Sequence, residues 1–191
     1  MKEIKTAIMM LLVSTLICGG IYPVIVTGVG HAFFSGQASG SFISDTSDKF
    51  IGSSLIGQPF TDAKYFWSRP SMTPDFGYNP MASGGSNAGP TNPDYLQAVG
   101  DRIKVIRDSG VTGLIPADLV QASASGLDPH ISQQAAFVQI PRVSKERGIK
   151  EDLLKQVIVK VTEGRQFGLL GDPRVNVLKL NLSLDRLSHE R

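Results

Sequence analysis

Three histidines, one cysteine, 17 carboxylates and two stretches dense in serine and glycine are the residues of this 191-residue chain from which chemistry could be built. His31, His130 and His189 lie far apart, and none stands four residues from another, the spacing that sets two metal ligands on one helix face. A metal site is not expected. The lone cysteine, Cys18, precludes an internal disulfide and a cysteine-based zinc site, and it falls inside an apolar run. With no G-x-S-x-G elbow, nucleophilic catalysis lacks a candidate. Carboxylates could still pair in space for acid–base work, which sequence alone does not reveal. His31, at the far end of the apolar run, reads as an interfacial polar residue rather than a proton carrier. His130 follows Asp128-Pro129 and reads as a helix cap or a turn-lining residue rather than a catalyst.

The glycine-rich segments are the other candidates. Ser83, Gly84, Gly85, Ser86 and Asn87, followed by Ala88-Gly89, could curl amides and hydroxyls around an anion, because glycine reaches positive φ without a steric penalty. A P-loop, however, needs G-x-x-x-x-G-K-[ST], and no Lys or Arg lies between Pro70 and Gly100. A structural turn, or a loop packed on a partner, is favoured over a phosphate cradle. Ser123-Ala124-Ser125-Gly126-Leu127-Asp128-Pro129 is a second candidate, otherwise read as a helix stop followed by a helix start. Arg69, close to Trp67, has two open readings: stacking on an aromatic face, or pairing with an acid.

These residues must be positioned by what surrounds them. Between Thr6 and Ser44 there is no Asp, Glu, Lys or Arg, and residues 7–29 are almost entirely apolar or small. As a helix that stretch reaches roughly 34 Å, enough to cross a hydrocarbon core of about 30 Å. Residues 7–34 are therefore expected to form one transmembrane helix. Near its middle, Pro23 lacks an amide proton and is expected to bend the helix, while Gly19 and Gly20 permit close approach by a partner helix. The run is too long for a cleaved signal peptide, whose apolar core is about 7–15 residues. Cys18 follows Leu16-Ile17 rather than a small residue, which argues against a lipoprotein signal. Lys2 and Lys5 precede the span and the first charges beyond it are Asp45 and Asp48, so the positive-inside bias keeps residues 1–6 in the cytoplasm and residues 35–191 outside it. With a net formal charge of +2 and no dense run of Lys or Arg, nucleic acid is a poor partner.

The outer portion is long enough for one independent core. Residues 35–47 are rich in Gly and Ser and read as a linker, and residues 49–57 as a strand or two around a turn. Tyr65, Phe66 and Trp67 form the densest aromatic group, and residues 70–92 form a long loop rich in Pro and Gly. Asn92-Pro93-Asp94 is a strong helix start, with Leu96, Val99, Ile103 and Ile106 at helical spacing until Gly110. A short helix is expected from Ile115-Pro116-Ala117-Asp118, and another capped by Ser132 and ended or kinked at Pro141. The clearest helix covers residues 150–164, where Leu153, Leu154, Val157, Ile158 and Val161 make one apolar stripe and Gly164 can terminate it. Residues 174–185 read as a strand entering at Val175, with either a bulge or a switch to helix near Leu178. The fold class is α/β: one N-terminal transmembrane helix followed by a single mixed α/β extracytoplasmic domain in which helices are the majority.

The order of motifs adds a resemblance. Gly19-Gly20-Ile21-Tyr22-Pro23 in the span is followed by Gly52-Ser53-x-Leu55-Ile56-Gly57-Gln58 and by Tyr65-Phe66-x-x-Arg69-Pro70-Ser71. Then come Tyr78-Asn79-Pro80-x-Ala82-Ser83-Gly84-Gly85-Ser86-Asn87, Ala122-Ser123-Ala124-Ser125-Gly126-Leu127-Asp128, Gln139-x-Pro141-Arg142-Val143, and Val175-Asn176-Val177 with Asn181-Leu182. This series, which covers nearly the whole chain, resembles the C subunit of the Kdp potassium-transporting ATPase.

The resemblance implies a bacterial inner-membrane complex with a channel-like potassium-translocating subunit, a P-type ATPase subunit that carries the phosphorylated aspartate, and a small membrane subunit. The C subunit would be a non-catalytic accessory member, described for the family as a catalytic chaperone that raises the ATP affinity of the ATPase subunit. K+ would be the cargo of the complex and ATP its fuel, with Ser83, Gly84, Gly85, Ser86 and Asn87 as the part suggestive of nucleotide or subunit contact. The expected orientation pulls against direct contact, because cytoplasmic ATP cannot touch an outer loop. Coupling through the anchor helix, an allosteric effect that needs two conformations of the ATPase, is the preferred resolution. The outer domain would then sit over the entrance of the channel-like subunit, with residues 70–92 as the contact loop. Two readings of other classes compete: a membrane-anchored extracytoplasmic module that binds a small ligand by itself, and a membrane-bound hydrolase using paired carboxylates.

Overall fold

The computed structural model of the chain describes residues 2–45 and 49–189, so Asp48 lies outside the described residues. The contacts divide it into two compact units, one ending at Ser53 and the other starting at Ser54.

In the first unit, helix α1 (Lys2–Leu16) and helix α2 (Tyr22–Phe33) are joined by a π-helical turn, Ile17–Ile21. The Tyr22 amide reaches back to the Ile17 carbonyl across this widened turn. Proline, which cannot donate to the ladder, follows immediately at position 23, and the wider turn is how the chain absorbs the missing donor. A Cβ on Gly19 would meet only Thr15 Cγ2 at 4.0 Å, so the two glycines supply bare backbone rather than relief from crowding. Together the segments run from Lys2 to Phe33, long and apolar enough to cross a membrane, with none of their residues buried within the protein. Residues 35–47, expected as a linker, instead hold the short helix α3 (Ser35–Ala38) and strand β1 (Phe42–Ser44). Strand β1 pairs antiparallel with β2 (Phe50–Ser53), and Phe42 and Phe50 meet edge to face at 5.2 Å. Phe42 stands opposite Ser53 and Phe50 opposite Ser44, so the two rings meet diagonally across the ladder in a stretch whose Gly and Ser content suggested no order.

The second unit is mixed α/β with more helix than strand. Helix α4 (Pro93–Asp108) starts as its sequence predicts: the Asn92 side chain accepts from the Tyr95 amide at 3.0 Å, and Asp94 sits at the positive end of the dipole. Its apolar stripe divides, with Val99 and Ile106 turned inward and Leu96 and Ile103 exposed. The helix expected after Pro116 is only a 3-10 turn, Ala117–Leu119. Asp118 is committed elsewhere: its carboxylate accepts from the Ser132 amide at 2.6 Å. Strand β3 (His130–Ser132) leads into α5 (Gln133–Phe137), capped as expected by the Ser132 hydroxyl, which accepts from the Ala135 amide. Pro141 does not kink that helix but opens the next, α6 (Ile140–Arg147), in the first turn where a missing amide costs nothing. Gly148, at φ +63°, closes it.

Helix α7 (Glu151–Val161) buries Leu154, Val157 and Ile158 but stops short of Gly164. Thr162 and Glu163 leave the helix as strand β4. Strand β5 (Arg174–Asn176) lies between β3 and β4, antiparallel to both, with Ile131 and Thr162 opposite Val175. The switch to helix comes at Val177, the start of α8 (Val177–His189), because the Asn176 side chain accepts from the Lys179 amide and caps it. Ile131, Val143, Leu154, Ile158, Val175, Leu180 and Leu184 form the core between the sheet and α5–α8.

Residues 54–92 cross this core with no described helix or strand, yet Phe66 is fully buried. A buried backbone needs hydrogen-bond partners, and here side-chain amides supply them. Asn181 on α8 accepts from the Phe66 amide at 2.9 Å and donates to its carbonyl at 3.0 Å. Gln139 does the same for Trp67, accepting at 2.7 Å and donating at 3.3 Å. Arg142 on α6 donates to the carbonyls of Ala63 and Tyr65 and to Gln139 Oε1, and its guanidinium stacks 3.8 Å from the centre of the Trp67 ring. Burial pulls the Arg142 guanidinium down to about 10, against the nearby charges of Glu146 and Asp62, so it stays charged at neutral pH. Asn181→Leu keeps the volume but strands two buried backbone groups. It is expected to destabilise the domain by about 2–5 kcal/mol, read from urea unfolding of the full chain in detergent.

Candidate functional site

The serine- and glycine-rich segments meet in space. Ser83 donates to the Ser125 carbonyl at 3.0 Å, and the Gly84 amide donates to the same oxygen at 2.9 Å. A Cβ on Gly85 would lie 3.0 Å from the Ala124 carbonyl, so glycine lets two backbones touch there. The amide of Gly126, at φ +68°, donates to the Ser123 hydroxyl oxygen at 2.9 Å, and a Cβ there would lie 2.6 Å from the Gly84 carbonyl. Ser71 ties in from the other side, donating to the Gly126 carbonyl at 2.7 Å and accepting from the Tyr78 amide at 2.8 Å. The Tyr78 hydroxyl donates to the Arg69 carbonyl, and burial pushes this phenol up to about 12. Ser86 and Asn87 remain exposed at the edge of the knot. Ser86 also borders a cavity of about 240 Å³ that includes Asn92, Asp94 and Tyr95 at the start of α4, and Arg102 two turns further along it.

A chain of charges runs beside this knot. Arg69 pairs with Asp128 at 2.8 Å, Asp128 faces His130 Nδ1 at 3.3 Å, and His130 Nε2 lies 3.7 Å from Glu163. Glu163 also pairs with Arg174 at 3.2 Å and Lys179 at 3.1 Å. Burial pushes both carboxyls up. In Asp128 the hydrogen bonds from His130 and the Arg69 charge outweigh it; in Glu163 Lys179, His130 and Arg174 do, so both end below their ordinary values. Arg69, Asp118, Asp128, His130 and Arg174 line an open polar cavity of about 600 Å³. Of the two readings of Arg69, the acid pair is the observed one, and the aromatic stack belongs to Arg142. His130 neither caps α5 nor lines a turn; it sits in β3 between two carboxylates. His31 is exposed in α2, and His189 ends the backbone of α8. Among the described residues no cluster of three or more His, Cys, Asp or Glu has metal-binding geometry.

A family model described as K+-transporting ATPase, c chain, matches residues 4–186. The chain belongs to that family. Among its relatives, the potassium-transporting ATPase KdpC subunit of Geobacter metallireducens is 65% identical over 188 residues, covering 98% of this chain and all of the relative. That of Geotalea uraniireducens is 64% identical over the same length, again with 98% and 100% coverage. That of Methylococcus capsulatus is 53% identical over 188 residues, with 97% and 98% coverage.

In this c-chain family member, the structure brings Ser83, Gly84 and Gly85 onto the second serine-rich segment and leaves Ser86 and Asn87 outward. Gly19 and Gly20 lie in the π-helical turn and Pro23 at the start of α2. The side chains that sequence reasoning gave no role are Gln139, Arg142 and Asn181, which hold residues 63–67, and the Glu163–Arg174–Lys179 end of the charge chain. For Arg142 and Asn181 the signal available was a polar residue among the apolar positions of a helix; Gln139, in the turn before α6, carried none.

Two outcomes follow from this geometry. Gly126→Ala meets both positive φ and the Gly84 carbonyl, and is expected to cost about 2–4 kcal/mol of stability in urea unfolding. Folded values below the unfolded ones for Asp128 and Glu163 mean that the unfolded chain takes up more protons on acidification. Their contribution is present above the ordinary values of 3.8 and 4.5 and is lost as pH falls below them. Thermal midpoints measured across that range should fall with pH, and Asp128→Asn should flatten the slope.

Proposed function

We propose that the chain is a non-catalytic accessory subunit of an ATP-driven potassium uptake complex, with the phosphorylated aspartate on another subunit. The observation that carries this is membership of the c-chain family along almost the whole length, together with an N-terminal helix whose apolar side chains find no burial within the protein. The helix of residues 7–34 anchors it in a bacterial inner membrane with residues 1–6 in the cytoplasm and the α/β domain in the periplasm, as the positions of Lys2 and Lys5 favour. Gly19, Gly20 and Pro23 face another subunit's helix, where the exposed backbone of the π-helical turn suits close packing. The channel-like subunit, the P-type ATPase subunit and a small membrane subunit are the partners, and K+ is cargo.

Within that assembly the chain acts as a catalytic chaperone, raising the ATP affinity of the ATPase subunit through the anchor helix rather than by holding ATP itself. What supports this is the use of the Ser83 hydroxyl and the Gly84 amide inside the domain. A phosphate cradle presents such groups outward. Ser86 and Asn87, with residues 70–92 around them, form a contact with the channel-like subunit. A second reading, a module that captures a small ligand by itself, is favoured by one observation: an apolar cavity of about 240 Å³ between α4 and the core, lined by Trp67, Val105, Ile106, Val111 and Leu119.

The deciding measurement is potassium-stimulated ATP hydrolysis by the purified membrane complex with and without this chain. The expected result is loss of assembly or a rise in the ATP concentration needed for half-maximal rate; unchanged assembly and activity would remove the proposal. A periplasm-only reporter fused after Arg191 should be active. Activity of a cytoplasm-only reporter at that site would reverse the orientation and restore direct ATP contact.

A further inference from the structure

Between β4 and β5 the chain makes a small hairpin with an apolar tip. Phe167 is 92% exposed, Leu169 79% and Leu170 60%. The tip is built. Gln166 and Leu170 exchange amide and carbonyl bonds at 2.9 Å, and the amides of Gly168 and Leu169 donate to the carbonyls of Arg165 and Gln166 at 3.1 Å. Phe167 stands at φ +53°, a left-handed conformation that aromatic residues rarely adopt, with Gly168 and Gly171 also at positive φ. An Arg165–Asp172 pair at 3.0 Å closes the neck.

We propose that this tip inserts into the surface of a lipid bilayer and gives the domain a second membrane contact besides its helix. The inference rests on the anchoring proposed above. Four observations favour lipid over a protein pocket. First, the amides of Gln166, Gly168, Leu169 and Leu170 are satisfied within the turn. Pairing these four amides lowers the cost of moving the turn into a medium that offers no hydrogen bonds. Second, no charged residue interrupts residues 166–171. Third, the groups at the base are Arg165, Arg174 and Lys179 against Asp172 and Glu163, a cationic excess suited to anionic headgroups. Fourth, only residues 34–53 separate the apolar helix from the domain, so a bilayer is always within reach and even a weak insertion is populated at high effective concentration.

The test uses the full chain alone in nanodiscs of mixed phosphatidylcholine and phosphatidylglycerol. In a Cys18→Ser background, Phe167→Cys or Leu169→Cys carries an environment-sensitive fluorophore, and Met81→Cys, at a site 91% exposed elsewhere in the domain, is the control. The expected result is a blue-shifted emission, quenched by spin-labelled lipid, at 167 and 169 and not at 81, with the shift reduced when phosphatidylglycerol is omitted. A tip label that stays in water in nanodiscs, or becomes shielded only when the other subunits are added, overturns lipid insertion and in the second case assigns the tip to a protein contact. Failure of the chain to incorporate at all would remove the anchor, and this inference with it, which separates the two claims.

Discussion

The domain depends on how an extended segment without strand partners can be buried. Residues 63–67 carry Phe66 into the core, and the hydrophobic gain of placing that ring there would be outweighed if its backbone amide and carbonyl were left without partners. Asn181 and Gln139 remove the conflict by presenting carboxamides, each donor and acceptor at once, to two consecutive peptide groups. Helix α8 and the turn that leads into α6, together with Arg142, thereby behave toward the segment as a neighbouring strand would. This explains why Asn181 on α8, Gln139 just ahead of α6 and Arg142 on α6 are buried among apolar neighbours, and why α6 and α8 must be fixed relative to each other for the aromatic segment to seat.

The same logic extends to the serine- and glycine-rich knot. Ser71, Ser83 and Ser123 spend their hydroxyls on backbone groups of loops, and Gly85 and Gly126 let those loops approach to distances that a side chain would forbid. Short polar side chains and glycines thus take the place of a sheet. The charge chain from Arg69 to Lys179 lies against this assembly and joins the loop at Asp128 to β3, β4 and β5. Each carboxylate in it faces more than one cationic or hydrogen-bonding group, so burial does not neutralise it.

Local signals in the sequence were sufficient where local physics decides. The long apolar helix, the Asn92 and Ser132 caps and the α7 stripe all depend on residues within a few positions of one another, whereas near Leu178 the sequence left a bulge and a switch to helix open and the structure has the switch, at Val177. What was not legible depends on long-range partners. The Ala117–Leu119 turn has Asp118 bonded to Ser132 across the fold, and which residues of the α4 stripe, Val99 and Ile106 but not Leu96 and Ile103, reach the core is set by what α4 packs on. Residues 35–47 looked like a linker until β2 supplied the partner for β1. For the candidate site, the serine- and glycine-rich motifs were visible as motifs, but that they bind each other is a tertiary fact with no periodicity to announce it.

That mutual binding bears on how the chain could influence ATP hydrolysis. A loop able to wrap a nucleotide phosphate must hold several amides free and convergent, and the loop must be able to close. Here the Gly84 amide and the Ser83 hydroxyl already share the Ser125 carbonyl, and opening the knot would break the close Gly85–Ala124 approach. Binding an anion there would therefore have to offset the loss of the hydrogen bonds that hold the knot, each about 1 kcal/mol net and more when a partner is stranded. Contact with another subunit through the exposed Ser86 and Asn87 side chains carries no such penalty, since it leaves the knot intact. The proposed influence on the ATPase then needs an element that can shift while the domain stays rigid, and the helix with its π-helical turn buries none of its described side chains within the protein.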